Sequence, residues 1–314
     1  MKSISSAPAK IILFGEHFVV HGVKALLCTI DKRVIVSSNQ IDEKVIKIKS
    51  TLGNLSTNIS SKSIDEQKNP LKPFLYIARK ILEKNNTNSG IEIEINSEIP
   101  IGVGLGSSSA CCVAAAASIS GIFDKLSREQ ILKLAIEAER EIFQKTSGAD
   151  CAVCTYGGLI EFNAKEGFSN LESKMDFSLV IANSKETHST NHIVHKVQDF
   201  KDKHQELFSS FCDKENMIIE KALGALEENN LVVFGQLMSK NQDLLDQLGV
   251  TTAKLRNLVN VARGTSYGAK ITGAGGGGCI IGLVDDSNLD NTLANLKNQD
   301  SECFVSKIDY NGLT

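Results

Sequence analysis

Apolar residues fall in short runs over the first forty positions, KIILF, KALLCTI and RVIVSS, with the polar GEH and DKR between them. Runs of this length rich in Ile and Val predict β-structure with turns at the two polar breaks, and VIKIKS continues it. Residues 50–69, dominated by Ser, Asn and Lys, read as a mobile surface loop. PLKPFLYIARKILEKN then carries helical spacing with a proline near its start, and IEIEI alternates as a half-buried strand does.

That strand runs into PIGVGLGSSSA, residues 100–110, and an Ala/Cys/Val stretch long enough for a helix follows. A second helix is expected over SREQILKLAIEAEREIFQK, with Ser127 as N-cap and Gln130 completing a capping box. TSGAD ends it, and CAVCTYGGLIEF has the look of a strand. After about residue 176 the order is a strand (SLVIAN), long helical segments to about Arg263, a strand (AKIT), the glycine run GAGGGG, a strand (CIIGLV), a helix and the strand CFVSKI. The change of pattern places a boundary there, giving units 1–175 and 176–314 packed around one cleft.

Composition narrows the function. With 314 residues, 42% hydrophobic, the chain can build one large or two closely packed cores. A net charge of −3, 5% aromatic residues and no Trp offer neither the basic footprint nor the stacking platforms of a nucleic-acid binder, so a small-molecule partner is expected. The polar N-terminus MKSISSAPAK lacks a signal-peptide core, and no stretch approaches the roughly 20 apolar residues that span a bilayer. A soluble, cytoplasmic protein without a membrane partner is the expectation, and its eight scattered cysteines read as free buried thiols.

The glycines of PIGVGLGSSSA let backbone N–H groups approach a ligand, and the following helix N-terminus offers unpaired donors and a favourable dipole. Strand, glycine loop and helix together make an anion cradle, with phosphate as its natural guest. Ser107, Ser108 and Ser109 add hydroxyls able to cap the helix, bond phosphate oxygens or ligate Mg²⁺. A P-loop is excluded because no Lys lies between Ile91 and Phe123, and the GxGxG spacing departs from the GxGxxG of dinucleotide folds.

Two further motifs flank this loop in sequence: APAKIILFGEHFVVHG near the start and KITGAGGGGCIIGL near the end. In that order the three resemble the motifs of the GHMP kinase superfamily, and the first is most similar to its mevalonate kinase branch, in the short archaeal and bacterial form. The resemblance covers essentially the whole chain. It implies an α+β two-domain fold, with an N-terminal domain like ribosomal protein S5 domain 2 and a ferredoxin-like C-terminal domain. It further implies ATP phosphates wrapped by Pro100, Gly102, Gly104, Leu105, Gly106, Ser107, Ser108 and Ser109, and Mg²⁺ on Ser108 and Glu139. Asp150 becomes the catalytic carboxylate, and Lys10 the lysine that touches it and the substrate. A positive charge there favours the ionised carboxylate and steadies a developing alkoxide.

By the same resemblance, Glu16, His17, Thr190, Gly273, Ala274 and Gly275 join Lys10 and Asp150 around mevalonate. His17 favours mevalonate over phosphomevalonate, whose kinases often carry Tyr there. ATP phosphorylation of the 5-hydroxyl of (R)-mevalonate is the implied reaction. Phosphomevalonate kinase and an ATP-dependent mevalonate-phosphate decarboxylase are the alternatives, and dimers being common among relatives points to a homodimer. Two departures stand out. Lys145 and Thr146 precede Ser147 and Gly148 in QKTSGAD where a Gly-x-Pro-Ser-Gly-like turn is usual, and Cys111 occupies a position that is often aromatic. Cys151 and Cys154 form CxxC, and His188, His192 and His195 recur at helical spacing, but no second CxxC completes a zinc site.

Overall fold

The structure, a computed structural model, describes residues 1–61, 69–87, 89–143, 146–187 and 190–314. Its first half is a sheet of β1 (Lys2–Phe14), β2 (Ala25–Ile41), β3 (Val45–Ser50), β4 (Gly53–Asn58), β5 (Gly90–Ser97), β6 (Leu159–Asn163) and β7 (Gly167–Leu171). The strand order is β4-β3-β5-β2-β6-β7, with β1 pairing along β2. Among the described residues only β3 and β5 run parallel. In β5 the alternation decides the faces: Ile91, Ile93 and Ile95 are buried, while Glu92 points out and meets Lys49 at 2.7 Å.

Four helices cover this sheet: α1 (Lys72–Lys84), α2 (Ser107–Ser120), α3 (Arg128–Glu139) and α4 (Ala149–Tyr156). Phe74, Leu75, Ile77, Ala78, Ile81 and Leu82 give α1 one apolar stripe, and Pro73 opens it without losing a needed N–H. By contrast α2 is buried nearly all round, because its small Ala, Cys and Ser side chains let β1, β2, α1, α3 and α4 close on it. The capping box on α3 forms as expected, Ser127 N–H donating to Gln130 at 2.9 Å and Gln130 N–H to Ser127 Oγ at 3.3 Å.

The second sheet is antiparallel in the order β11-β8-β10-β9, built from β8 (Ser178–Asn183), β9 (Gly268–Ile271), β10 (Cys279–Val284) and β11 (Glu302–Ser306). Helices α5 (Thr190–Lys203), α6 (Gln205–Glu227), α7 (Leu231–Gln247), α8 (Ala253–Arg263) and α9 (Leu289–Lys297) accompany it. The expected break at 175/176 lies between β7 and β8. Residues 307–314 return to the first sheet, where Asp309 N–H donates to the Thr29 carbonyl and Leu313 N–H to that of Thr155.

Three local expectations are corrected. DKR is not a turn: Asp31, Lys32 and Arg33 lie inside the 17-residue β2. Their polarity is answered from far along the chain, Arg33 pairing with Asp309 and donating to the Gly312 carbonyl at 2.6 Å. Within the loop expected at 50–69, Gly53–Asn58 is strand β4 on β3, and residues 62–68 lie outside the described residues. Finally, CAVCTY is helix α4 and only LIEF is strand, since an apolar run buried on every side carries no periodicity to tell one from the other. All eight cysteines are free, six of them buried.

Candidate active site

Lys10 lies on β1, 4% exposed, with its backbone N–H on the Leu105 carbonyl at 3.0 Å. Its side chain runs directly beneath the glycine loop: a Cβ on Gly106 would stand 2.4 Å from Lys10 Cγ, and Gly106 also has φ +71°. Glycine is therefore required twice over at that position, by space and by backbone geometry. Gly106 is the N-cap of α2, with no side-chain cap, so the serine hydroxyls do not consume the first-turn N–H donors. Those donors and the helix dipole lie at the end of the loop of Pro100, Gly102, Gly104 and Leu105, where the sequence reading expects an anion.

Lys10 Nζ meets Asp150 Oδ2 at 3.0 Å. Asp150 belongs to the first turn of α4, whose N-cap Gly148 has φ +83° and likewise no side-chain cap. Helices α2 and α4 pack against each other, and Lys10 runs from beneath Gly106, the N-cap of α2, to Asp150 in the first turn of α4, where Ala149 N–H donates to Ser147 Oγ at 3.3 Å. About a third of the Asp150 side chain is exposed, so the carboxylate is presented rather than sealed.

Glu139, the last residue of α3, is 4% exposed. It accepts from Ser109 Oγ and, at 3.1 Å, from Thr146 Oγ1. Burial pushes its carboxyl above the usual range, opposed by the Ser109 hydrogen bond and reinforced by the charge of Asp150. Such a site favours an added positive charge. Ser108, the other residue expected on a metal, is half-buried in the first turn of α2 with its hydroxyl against the Cys112 thiol; the neighbour that bonds Glu139 is Ser109. Among the described residues no three His, Cys, Asp or Glu side chains converge as a metal site.

The third motif closes on the other two. Thr272 Oγ1 accepts from the Ile12 N–H at 3.1 Å, and Cys279 N–H donates to the Val103 carbonyl at 3.2 Å. A Cβ on Gly104 would stand 2.9 Å from the Thr272 carbonyl, so the two glycine stretches touch backbone to backbone. His17, at the unusual φ of +66°, puts Nε2 2.9 Å from the Ala274 carbonyl, between Gly273 and Gly275. Burial lowers the imidazole pKa to about 4, the Ala274 hydrogen bond opposing, so the ring is neutral at pH 7. A carbonyl only accepts, so Nε2 carries the hydrogen and Nδ1 remains an acceptor.

The GHMP kinases N terminal domain family matches residues 73–158, and the GHMP kinases C terminal family residues 222–301. A mevalonate kinase of Pyrococcus furiosus is 36% identical, covering 90% of this chain and 90% of its own. The chain belongs to the mevalonate kinase family of GHMP kinases. A mevalonate kinase of Aeropyrum pernix is 30% identical over 98% of this chain and 96% of its own. The crystal structure of the Methanococcus jannaschii mevalonate kinase superposes with a TM-score of 0.88 at 30% identity, covering 98% of this chain and 99% of that one. The L. major mevalonate kinase in complex with R-mevalonate gives 0.83 at 25% identity, over 99% and 96%.

In this GHMP kinase the structure therefore brings together Lys10, Asp150, Glu139, the 100–109 loop, His17 and Ala274. Thr190 is outside that bonded group, exposed as the first residue of α5. Glu16 is 2% exposed and its carboxylate is taken by Lys270, so it faces the protein interior. His192 and His195 are exposed on α5, and His188 lies outside the described residues. Cys151 and Cys154 are buried in α4, their thiols pushed well up by burial. Sequence reading passed over Glu215, Asn241 and Lys270, and expected Ser109 on phosphate rather than on Glu139. For Lys270 a signal existed, since a lysine in the otherwise apolar strand GAKI must find a buried acceptor. Thr146 was noticed only as a departure, yet it holds Glu139.

Proposed function

We propose that this chain transfers the γ-phosphoryl group of ATP to the 5-hydroxyl of (R)-mevalonate, with residues 1–175 carrying the nucleotide and 176–314 completing the substrate pocket. The membership of the mevalonate kinase family supports the reaction. The observation that carries the site is Lys10, whose stem crosses under Gly106 and whose ammonium meets Asp150, so one charge serves both the phosphate loop and the carboxylate.

Phosphoryl transfer asks for alignment and charge neutralisation more than for covalent help. The uncapped N-terminus of α2 and the glycine loop would take the β- and γ-phosphates. Asp150 would orient the attacking hydroxyl and accept its proton, while Lys10 keeps Asp150 in place and stabilises charge growing on the transferred group. Glu139 fits Mg²⁺, a cation that takes one or two protein oxygens, phosphate oxygens and water, and Ser108 would join it once its hydroxyl turns from the Cys112 thiol. The fit rests on a buried carboxylate whose ionised form is disfavoured by burial and by the charge of Asp150. Bound there, Mg²⁺ would neutralise phosphate charge.

Neutral His17 presents an acceptor to a substrate hydroxyl, and the Gly273, Ala274 and Gly275 backbone would floor the same pocket, with Thr190 at its rim. The test is Mg²⁺-dependent ADP release with mevalonate, phosphomevalonate, mevalonate diphosphate, galactose and homoserine offered separately, CO₂ being followed alongside. Turnover on mevalonate without CO₂ is expected. Asp150→Asn should lower kcat by about 10²- to 10⁴-fold. Activity confined to another alcohol, or CO₂ release, would overturn the substrate assignment.

A further inference from the structure

Behind the GEH turn lies a buried polar group that the phosphoryl-transfer site does not use. Lys270 Nζ, fully buried on β9, bonds Glu16 Oε1, donates to the Ile271 carbonyl at 2.8 Å and reaches the Ile12 carbonyl at 3.4 Å. One residue earlier in the turn, Gly15 N–H donates to Glu215 Oε1 of α6 at 2.8 Å. Glu215 is itself fixed by Asn241 of α7, whose amide reaches its two carboxylate oxygens at 2.7 and 2.8 Å. Residues 15 and 16 are therefore each gripped by a different element of the second half, and the next residue is His17 in its left-handed conformation.

A non-glycine residue at φ +66° is strained and persists where its surroundings over-determine it. Here the surroundings are visible: Glu16 is held on one side and the Ala274 carbonyl takes the ring on the other. The cost is also visible, since Glu16 Oε2 and Asn241 Oδ1 are buried without a hydrogen-bond partner among the described residues. An apolar contact of the same shape would hold the turn at less expense in free energy, so stability alone does not account for two buried acids and a buried lysine.

We infer that Lys270 and Glu215 are positioning residues for substrate selection: through Glu16 and Gly15 they hold the turn so that His17 keeps its left-handed conformation and stays aimed at the substrate hydroxyl. The inference rests on mevalonate being the substrate for its kinetic reading, but not for its spectroscopic one. Both carboxyl groups are pushed upward by burial, with Lys270 opposing.

The test compares the parent enzyme with Glu16→Gln/Lys270→Met, a double substitution that removes both charges together and so avoids stranding either. Thermal midpoint, the KM values for mevalonate and ATP, kcat, and the titration of His17 by NMR are measured on each. Expected are a KM for mevalonate raised about tenfold, the equivalent of one lost hydrogen bond of good geometry, and a KM for ATP within about twofold. His17 should then titrate closer to 6.5 than to about 4, and a rise that persists in Glu16→Gln, which keeps the Lys270 charge that also lowers His17, assigns it to the turn. A folded double variant with the parent's mevalonate KM and the parent's His17 titration overturns the inference, as does an equal rise in both KM values with His17 unmoved. If the parent acts on a different alcohol, the His17 titration still decides for or against the positioning role. Should the double variant not fold, Glu16→Gln alone keeps the side-chain shape and one acceptor for Lys270, and is read by the same His17 criterion.

Discussion

Burial and charge act in opposite senses on the acids of this protein, and Glu215 shows the balance most clearly. It makes hydrogen bonds that favour the carboxylate, yet desolvation wins and its pKa rises from 4.5 to about 7. The groups facing it are Glu16, which raises it further, and Lys270, which lowers it. A folded-state pKa above the unfolded one means the native protein holds an extra proton between the two values. The stability this confers is full below pH 4.5 and is lost as pH rises to about 7. Glu215→Gln, which cannot titrate, is expected to flatten the fall in denaturation midpoint across that window. Equal slopes in urea titrations of parent and variant at pH 5 and pH 7.5 would show that Glu215 does not carry it.

Among the elements, helix N-termini do the most. Both α2 and α4 begin at a glycine in left-handed geometry, but only α2 keeps its first-turn donors clear of side chains, since Ala149 N–H of α4 donates to Ser147 Oγ at 3.3 Å. The α3 terminus follows the opposite course: Ser127 and Gln130 close its donors on themselves, as suits a helix start with no ligand to hold. Gly106 is the most exacting position, combining positive φ with the passage of Lys10. Gly106→Ala is expected to cost about 1–3 kcal/mol of stability. It should also displace Lys10, so that KM for ATP rises together with a fall in kcat. A variant with only the stability loss, measured by thermal melting beside steady-state kinetics, would mean the lysine moves without consequence.

The fold as a whole is latched by residues that sequence reading placed in a turn. Arg33, inside β2, pairs with Asp309, takes the Gly312 and Ser6 carbonyls, and so fastens residues 307–314 across the first sheet. Asp309 is largely buried, and removing its partner would leave an uncompensated charge there. Arg33→Met is expected to destabilise by about 3 kcal/mol. Arg33→Met/Asp309→Leu should recover much of that. Additive losses in the double variant, read from denaturant midpoints, would argue against a pair acting as a unit. Among the described residues no helix is long and apolar enough to cross a membrane.

What the sequence by itself determined is local. The alternation of IEIEI, the stripe of α1, the capping box at Ser127 and the glycine loop leading into α2 each depend on neighbours a few positions away, so they are readable in order along the chain. The three motifs were legible for the same reason, and with them Lys10, Asp150 and Glu139 as chemical groups. The tertiary structure alone decided which of those groups meet. It set Lys10 beneath Gly106, chose Ser109 rather than Ser108 to bond Glu139, and turned Glu16 inward onto Lys270, 254 positions away. It also made a helix of CAVCTY, where burial on every side had erased the pattern, and a strand of DKR, whose partners lie near residue 309. A buried polar side chain is stable only with its partner, and a partner supplied by a distant element leaves no trace in the local pattern of apolar and polar residues.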